Sequence, residues 1–179
     1  MKKILFIIPN TDLGGTNASL ENLYNNLKLE IDISIFSLTK YDKNNKRYNF
    51  SEVLLPYDGF LYLFDGVFAQ MTLIERFFAL FVKSLKRLLL KVKPSYIDVI
   101  YKLRINKIKN LENYDVIVAF QEGFTTHFTS LIEHNHKVAW IHCNYCNVVP
   151  ETVVPVIVAV LLGAHPSDGL IFISQSPKA

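Results

Sequence analysis

The stretch Lys3-Ile4-Leu5-Phe6-Ile7-Ile8-Pro9, continued by Asn10-Thr11-Asp12-Leu13-Gly14-Gly15-Thr16-Asn17, decides how this chain folds. Residues 4–8 are apolar without alternation, so the strand they predict must be covered on both faces. Pro9 has no N–H to give to a ladder and ends the run, and a polar, glycine-containing loop follows. Over residues 17–29 the apolar positions Leu20, Leu23, Tyr24 and Leu27 recur at three- and four-residue spacing, with Thr16 in place as a cap, which predicts a helix. Ile31, Ile33 and Ile35 then alternate with Asp32 and Ser34 before Phe36 and Leu38, giving a second strand and a β-α-β unit.

Working outward, the Lys- and Asn-rich residues 41–48 predict a solvated loop, and Val53-Leu54-Leu55 before Pro56 a short third strand. Residues 72–92 predict a long amphipathic helix. Its apolar face, with Ile74, Phe77, Phe78, Phe81, Leu85, Leu88, Leu89 and Val92, is expected against the core, and Arg76, Lys83, Lys86, Arg87 and Lys91 gather on the opposite face. A shorter basic helix is expected over 96–109. Further apolar strands at 116–120, 138–141 and 170–173 are separated by helical segments at 124–133 and 150–164. The predicted class is α/β: a Rossmann-like, doubly wound parallel sheet with helices on both faces.

The 179 residues, half of them apolar, suffice for one domain with a sizeable core. The first apolar run is too short for a secretory signal and lacks a cleavage site, which predicts a cytoplasmic protein. The apolar residues 152–164 are interrupted by Pro155 and fall short of the roughly 20 residues that span a bilayer. Two cysteines, Cys143 and Cys146, are too few for a disulfide framework. The net charge of +3 is unevenly spread: residues 76–109 hold ten Lys or Arg and one acid, Asp98, which leaves the rest of the chain net acidic. That asymmetry predicts an anionic partner. Phospholipid fits it, with the protein peripheral on the inner face of the plasma membrane, whereas no motif for nucleic acid accompanies the charge.

In an open parallel sheet, ligands gather beyond the carboxyl ends of the strands. After the first strand, Gly14 and Gly15 let backbone approach a ligand, and the following helix N-terminus offers N–H groups; a simple tight turn is the alternative. Neither the dinucleotide fingerprint nor a phosphate-binding loop ending in Gly-Lys is present. After residue 120 come Gln121-Glu122-Gly123, where Glu122 can bind hydroxyls, act as a base, or simply cap the next helix. After the strand at 138–141 comes His142, a candidate site imidazole. Cys143 and Cys146 form a C-x-x-C that can be a redox pair, although zinc would need ligands the cysteine count cannot supply, and packing is the simpler role. No metal site is expected, and no Asp-x-Asp occurs.

Four segments together resemble the N-terminal domain of family 4 glycosyltransferases. They are residues 2–9 with Gly14-Gly15 and Leu20-x-x-Leu23; residues 114–123, from Tyr114-Asp115 to Glu122-Gly123; residues 137–142, ending Trp140-Ile141-His142; and residues 168–174, opening Asp168-Gly169. They stand in the family's order and span nearly the whole chain. The resemblance implies the acceptor-side half of a two-domain, GT-B retaining transferase that needs no cofactor. Its donor, a nucleotide diphosphate sugar, would be held mainly by a C-terminal domain expected to lie outside these 179 residues, so the isolated chain is expected to be inactive. It further implies that Gly14, Gly15, Thr16 and Asn17 lie near donor phosphates and acceptor, that Glu122 and Gly123 line the acceptor pocket, and that His142 contacts the transferred sugar. A glycan or lipid-linked acceptor is implied as partner, with Arg76, Lys83, Lys86, Arg87 and Lys91 at the membrane. Many relatives carry Ala-Glu-Arg after the paired glycines. Thr16-Asn17-Ala18 stand here instead, so an acceptor contact made by that Arg does not carry over.

Overall fold

The computed structural model describes residues 1–12, 14–41, 48–66, 68–93, 95–108, 110–141 and 172–174. The strands are β1 (Lys2–Ile8), β2 (Ile31–Ser37), β3 (Val116–Ala119), β4 (Lys137–Ile141) and β5 (Phe172–Ser174). All pair in parallel, in the order β2-β1-β3-β4-β5. The helices are α1 (Gly15–Leu27), α2 (Gly59–Asp65), α3 (Leu73–Val92), α4 (Ser95–Ile105) and α5 (Phe124–Ser130).

The unbroken apolar run of β1 works as its sequence requires. Leu5 and Ile7 enter one core cluster with Phe64 of α2, Tyr101 of α4 and Phe128 of α5. Phe6 and Ile8 enter a second, on the other face, with Leu20 of α1, Tyr48 and Phe50. The sheet therefore carries helices on both faces, the doubly wound α/β arrangement. Each fully buried Leu or Ile of this kind contributes about 1.5–3 kcal/mol.

Several local expectations are corrected. α1 begins at Gly15 with Gly14 as its N-cap and no side-chain cap, so Thr16 lies in the first turn instead of capping it. The expected third strand shrinks to one parallel bridge, Leu54 to Ile35, with the Leu55 N–H donating to the Ile35 carbonyl at 2.8 Å. Pro56, which lacks an N–H, follows at once. Tyr48, read as part of a solvated loop, is buried and stacks on Phe50 with ring centroids 5.0 Å apart.

α2 was not foreseen. Asp58 caps it by accepting from the N–H groups of Phe60 and Leu61, both at 2.9 Å, while its other oxygen takes Nε of Arg104 at 3.0 Å. One carboxylate thus joins the start of α2 to the end of α4. At Gly66, just past α2, an added Cβ would stand 2.2 Å from the Tyr62 carbonyl oxygen, so only glycine fits that close approach. The expected helix at 150–164, residues 170–171 of the last strand, and Cys143 and Cys146 lie outside the described residues.

The largest correction concerns α3. Its helical span matches the expectation, and Thr72 and Glu75 form a reciprocal capping box. Its orientation is largely the reverse of the expected one, although Leu89 of the expected face does pack against the core beside Val82, and Arg87 and Lys91 are exposed as expected. Ile74 and Phe77 are each 73% exposed and Phe81 72%, and Phe78, Leu85, Leu88 and Val92 also face outward. The side turned inward carries fully buried Ala79 with Lys83 and Lys86. Acceptors on the neighbouring backbone and on α2 explain the choice. Arg76 donates from Nε to the Met71 carbonyl at 2.9 Å, and Lys83 Nζ to the Gly66 carbonyl at 2.6 Å. Lys86 pairs with Asp65, whose side chain is only 5% exposed, and stands 4.6 Å from the Phe64 ring centroid. Tyr101 donates to the other oxygen of Asp65 at 3.0 Å, and burial holds its phenol well above the ordinary range, so it keeps the proton it donates.

Candidate functional site

The parallel register brings the ends of β1, β2 and β3 to one edge. Ile8 pairs with Ser37 and Ile7 with Ala119. The Leu38 N–H donates to the Ile8 carbonyl and the Phe120 N–H to the Ile7 carbonyl, each at 2.9 Å. Residues 10–12 after β1, 39–40 after β2 and 121–123 after β3 therefore leave the sheet side by side. The chain goes from β1 through α1 to β2 on one side of β1, and β3, β4 and β5 lie on the other. The winding thus reverses between β1 and β3, the switch point at which parallel sheets open a crevice.

The β1–α1 loop is fixed from within. The Asp12 N–H donates to Oδ1 of Asn10 at 3.0 Å. The buried amide of Asn17 donates to the carbonyls of Asn10 at 3.1 Å and Asp12 at 2.7 Å. The Tyr48 hydroxyl donates to the Asp12 carbonyl at 3.0 Å and accepts the Gly14 N–H at 3.3 Å. Asn17 is thus a fastener inside the loop, and Tyr48 is a loop-positioning residue that sequence reasoning missed. The signal was there in Tyr48 and Phe50, two aromatic rings one residue apart at the end of a polar run.

Gly14 and Gly15 are exposed, and a Cβ added at either meets nothing within 4 Å among the described residues. The first intrahelical bond of α1 runs from the Ala18 N–H to the Gly14 carbonyl at 3.0 Å. The N–H groups of Gly15, Thr16 and Asn17 precede it, in the first turn, where an α-helix offers no intrahelical partner.

Across the switch point, Glu122 is half-buried and Gly123 takes φ 89°, a conformation in which L side chains are strained. Gly123 caps α5, whose His127 N–H donates to its carbonyl at 3.2 Å, and the Thr126 hydroxyl returns to the Gln121 carbonyl at 3.0 Å. Glu122 therefore precedes the capping position. Two buried hydroxyls at this end of the sheet, Thr39 after β2 and Thr125 in the first turn of α5, have no hydrogen-bond partner among the described residues. Because a Cβ at Gly123 meets no atom of the described residues within 4 Å, backbone strain should set the effect of Gly123→Ala, a loss of about 1–3 kcal/mol. A urea midpoint equal to that of the unaltered chain would show that glycine is not needed there for its conformation.

Of the predicted site residues, Gly14, Gly15, Thr16, Asn17, Glu122 and Gly123 come together along this edge. His142, one position beyond β4, lies outside the described residues. The basic residues are on α3, where Arg76, Lys83 and Lys86 are engaged internally and Arg87 and Lys91 are exposed. Among the described residues no group of three His, Cys, Asp or Glu could hold a metal ion, and no helix is long and apolar enough to cross a membrane. In comparisons with known proteins, no family model and no curated sequence matches the chain.

Proposed function

We propose that this chain is the acceptor-binding half of a retaining glycosyltransferase that moves a sugar from a nucleotide diphosphate sugar to a glycan or lipid-linked acceptor in capsule- or lipopolysaccharide-type synthesis. The observation that carries the reading is the placement of the open paired glycines of the β1–α1 loop beside Gln121-Glu122-Gly123 at the β1/β3 switch point. Nothing within the described chain requires Gly14 or Gly15 to lack a side chain. Their openness suits backbone that lies against a ligand, and the first-turn N–H groups of α1, which lack intrahelical partners, suit diphosphate oxygens or sugar hydroxyls. Glu122 serves as an acceptor for substrate hydroxyls. The loop pins made by Asn17 and Tyr48 hold this surface ready before substrate arrives, which reduces the ordering cost of binding. His142 is the proposed contact to the transferred sugar. The donor half, and the peripheral cytoplasmic location at an anionic membrane, complete the proposal.

The test is a screen of sugar nucleotides for transfer by the full-length gene product, followed by Gly15→Phe. A Cβ at Gly15 meets nothing within 4 Å among the described residues and the ring would stand on the proposed substrate side of the loop, so turnover should fall about tenfold or more with an unchanged melting temperature. Full turnover in Gly15→Phe would remove the glycine loop from the site. A second reading, a noncatalytic module that docks on a membrane or partner, is favoured by one observation, the outward apolar face of α3. No transfer with any sugar nucleotide would leave that reading standing.

A further inference from the structure

The helix that follows α3 carries an outward apolar side of its own. On α4, Tyr96, Val99 and Leu103 share one side and are 44%, 52% and 61% exposed, while Ile97, Tyr101 and Ile105 face the core. α3 and α4 pack against each other, so the two stripes belong to neighbouring helices. A helix of 20 residues is about 30 Å long, far more than a scatter of single exposed side chains. The charged groups exposed on these helices and the turn between them are all cations: Arg87, Lys91, Lys93 and Lys102. The acids of the two helices are only half-exposed and are engaged elsewhere, Glu75 with Lys40 at 2.7 Å and Asp98 with His127 at 2.9 Å.

We infer that the outer side of α3 and α4 is a membrane-insertion face: Phe77, Phe81, Leu88 and Leu103 enter the acyl boundary of an anionic leaflet, and Arg87 and Lys91 meet its headgroups. The charge pattern selects lipid over a second copy of the chain. A two-fold pairing of this face would gather the same four cations from each copy with no exposed acid to meet them, whereas anionic headgroups satisfy them. The apolar side chains supply the larger part of the attachment, because Arg76, Lys83 and Lys86 are held by Met71, Gly66 and Asp65. This deepens the membrane part of the proposed function but does not depend on sugar transfer.

Flotation of the full chain with vesicles of phosphatidylglycerol and phosphatidylcholine, and with pure phosphatidylcholine, tests it without any substrate. Binding to the anionic vesicles is expected, with at least half of the bound fraction kept at 0.5 M NaCl, because apolar insertion is not screened. Phe77→Ser with Phe81→Ser should weaken binding about tenfold or more with unchanged circular dichroism. Arg87→Gln with Lys91→Gln should lower only the preference for anionic vesicles. A tryptophan at position 81, introduced as Phe81→Trp, should be quenched by bromine-labelled acyl chains. Complete release by salt, binding unaffected by the serine pair, or a dimer in sedimentation that the serine pair dissolves would each overturn the inference. Loss of sugar transfer with intact vesicle binding would count against the transferase reading alone.

Discussion

Asp65→Ala is expected to destabilise the chain by about 3 kcal/mol, because it strips a part-buried cation and a buried phenol of their shared partner. The Asp65 side chain is 5% exposed and that of Lys86 26%, and Tyr101 is itself buried. After truncation the Lys86 ammonium is left against the Phe64 ring without a carboxylate, and the Tyr101 hydroxyl loses its acceptor. Salt cannot substitute for the lost partner, since mobile ions screen exposed pairs far better than buried ones. Pairing Asp65→Leu with Lys86→Met should recover much of the loss, because removing both charges leaves none uncompensated. Urea denaturation of the two single variants and the pair measures the coupling. A loss below about 1 kcal/mol for Asp65→Ala would mean that this ion pair does not seat α3.

Asn17→Asp has a comparably large expected effect, about 2–4 kcal/mol at neutral pH. The native amide donates to the carbonyls of Asn10 and Asp12 from a residue only 5% exposed. An ionised carboxylate of the same shape turns two attractive contacts into two acceptor–acceptor contacts. Asn17→Ala should cost less, since it removes the donors without adding charge. The two differ in pH response as well. The introduced carboxyl is more readily protonated in the folded than in the unfolded chain, so the folded state binds more protons. The penalty for Asn17→Asp should therefore shrink as pH falls toward about 4, the ordinary carboxyl range, and grow as pH rises above it. Asn17→Ala should show no such trend relative to the unaltered chain. Parallel pH profiles for the two would place the residue 17 side chain in solvent.

Much of the fold was legible because it rests on patterns with one physical solution. An apolar run such as that of β1 can be satisfied only between two layers, and Leu20, Leu23 and Leu27 can share a face only on a helix. From those follow the parallel sheet and the common edge at which the segments carrying Gly15 and Glu122 leave β1 and β3. What stayed hidden depends on contacts distant in sequence. α2 is short and apolar, and its identity as a helix rests on the cap from Asp58 and the tie to Arg104, 46 residues away. Tyr48 was obscured by its Lys- and Asn-rich neighbours, although its ring pairs with Phe50 and its hydroxyl reaches Asp12. α3 exposes the limit of periodicity most clearly. Spacing divides a helix into two sides but does not say which one faces inward. That was settled by Asp65, Gly66 and Met71, which offer oxygen acceptors where the core was expected.

The inner seat of α3, where Arg76, Lys83 and Lys86 find oxygen acceptors beside Ala79, Val82 and Leu89, also separates folding from surface chemistry. In most amphipathic helices the same greasy side chains anchor the helix to its domain, so any change to them risks unfolding. Here the outward residues can be exchanged at little structural cost, which makes the stripe a freely tunable exterior. It also leaves that exterior sticky in plain buffer, and recovery of the chain during purification should depend on detergent.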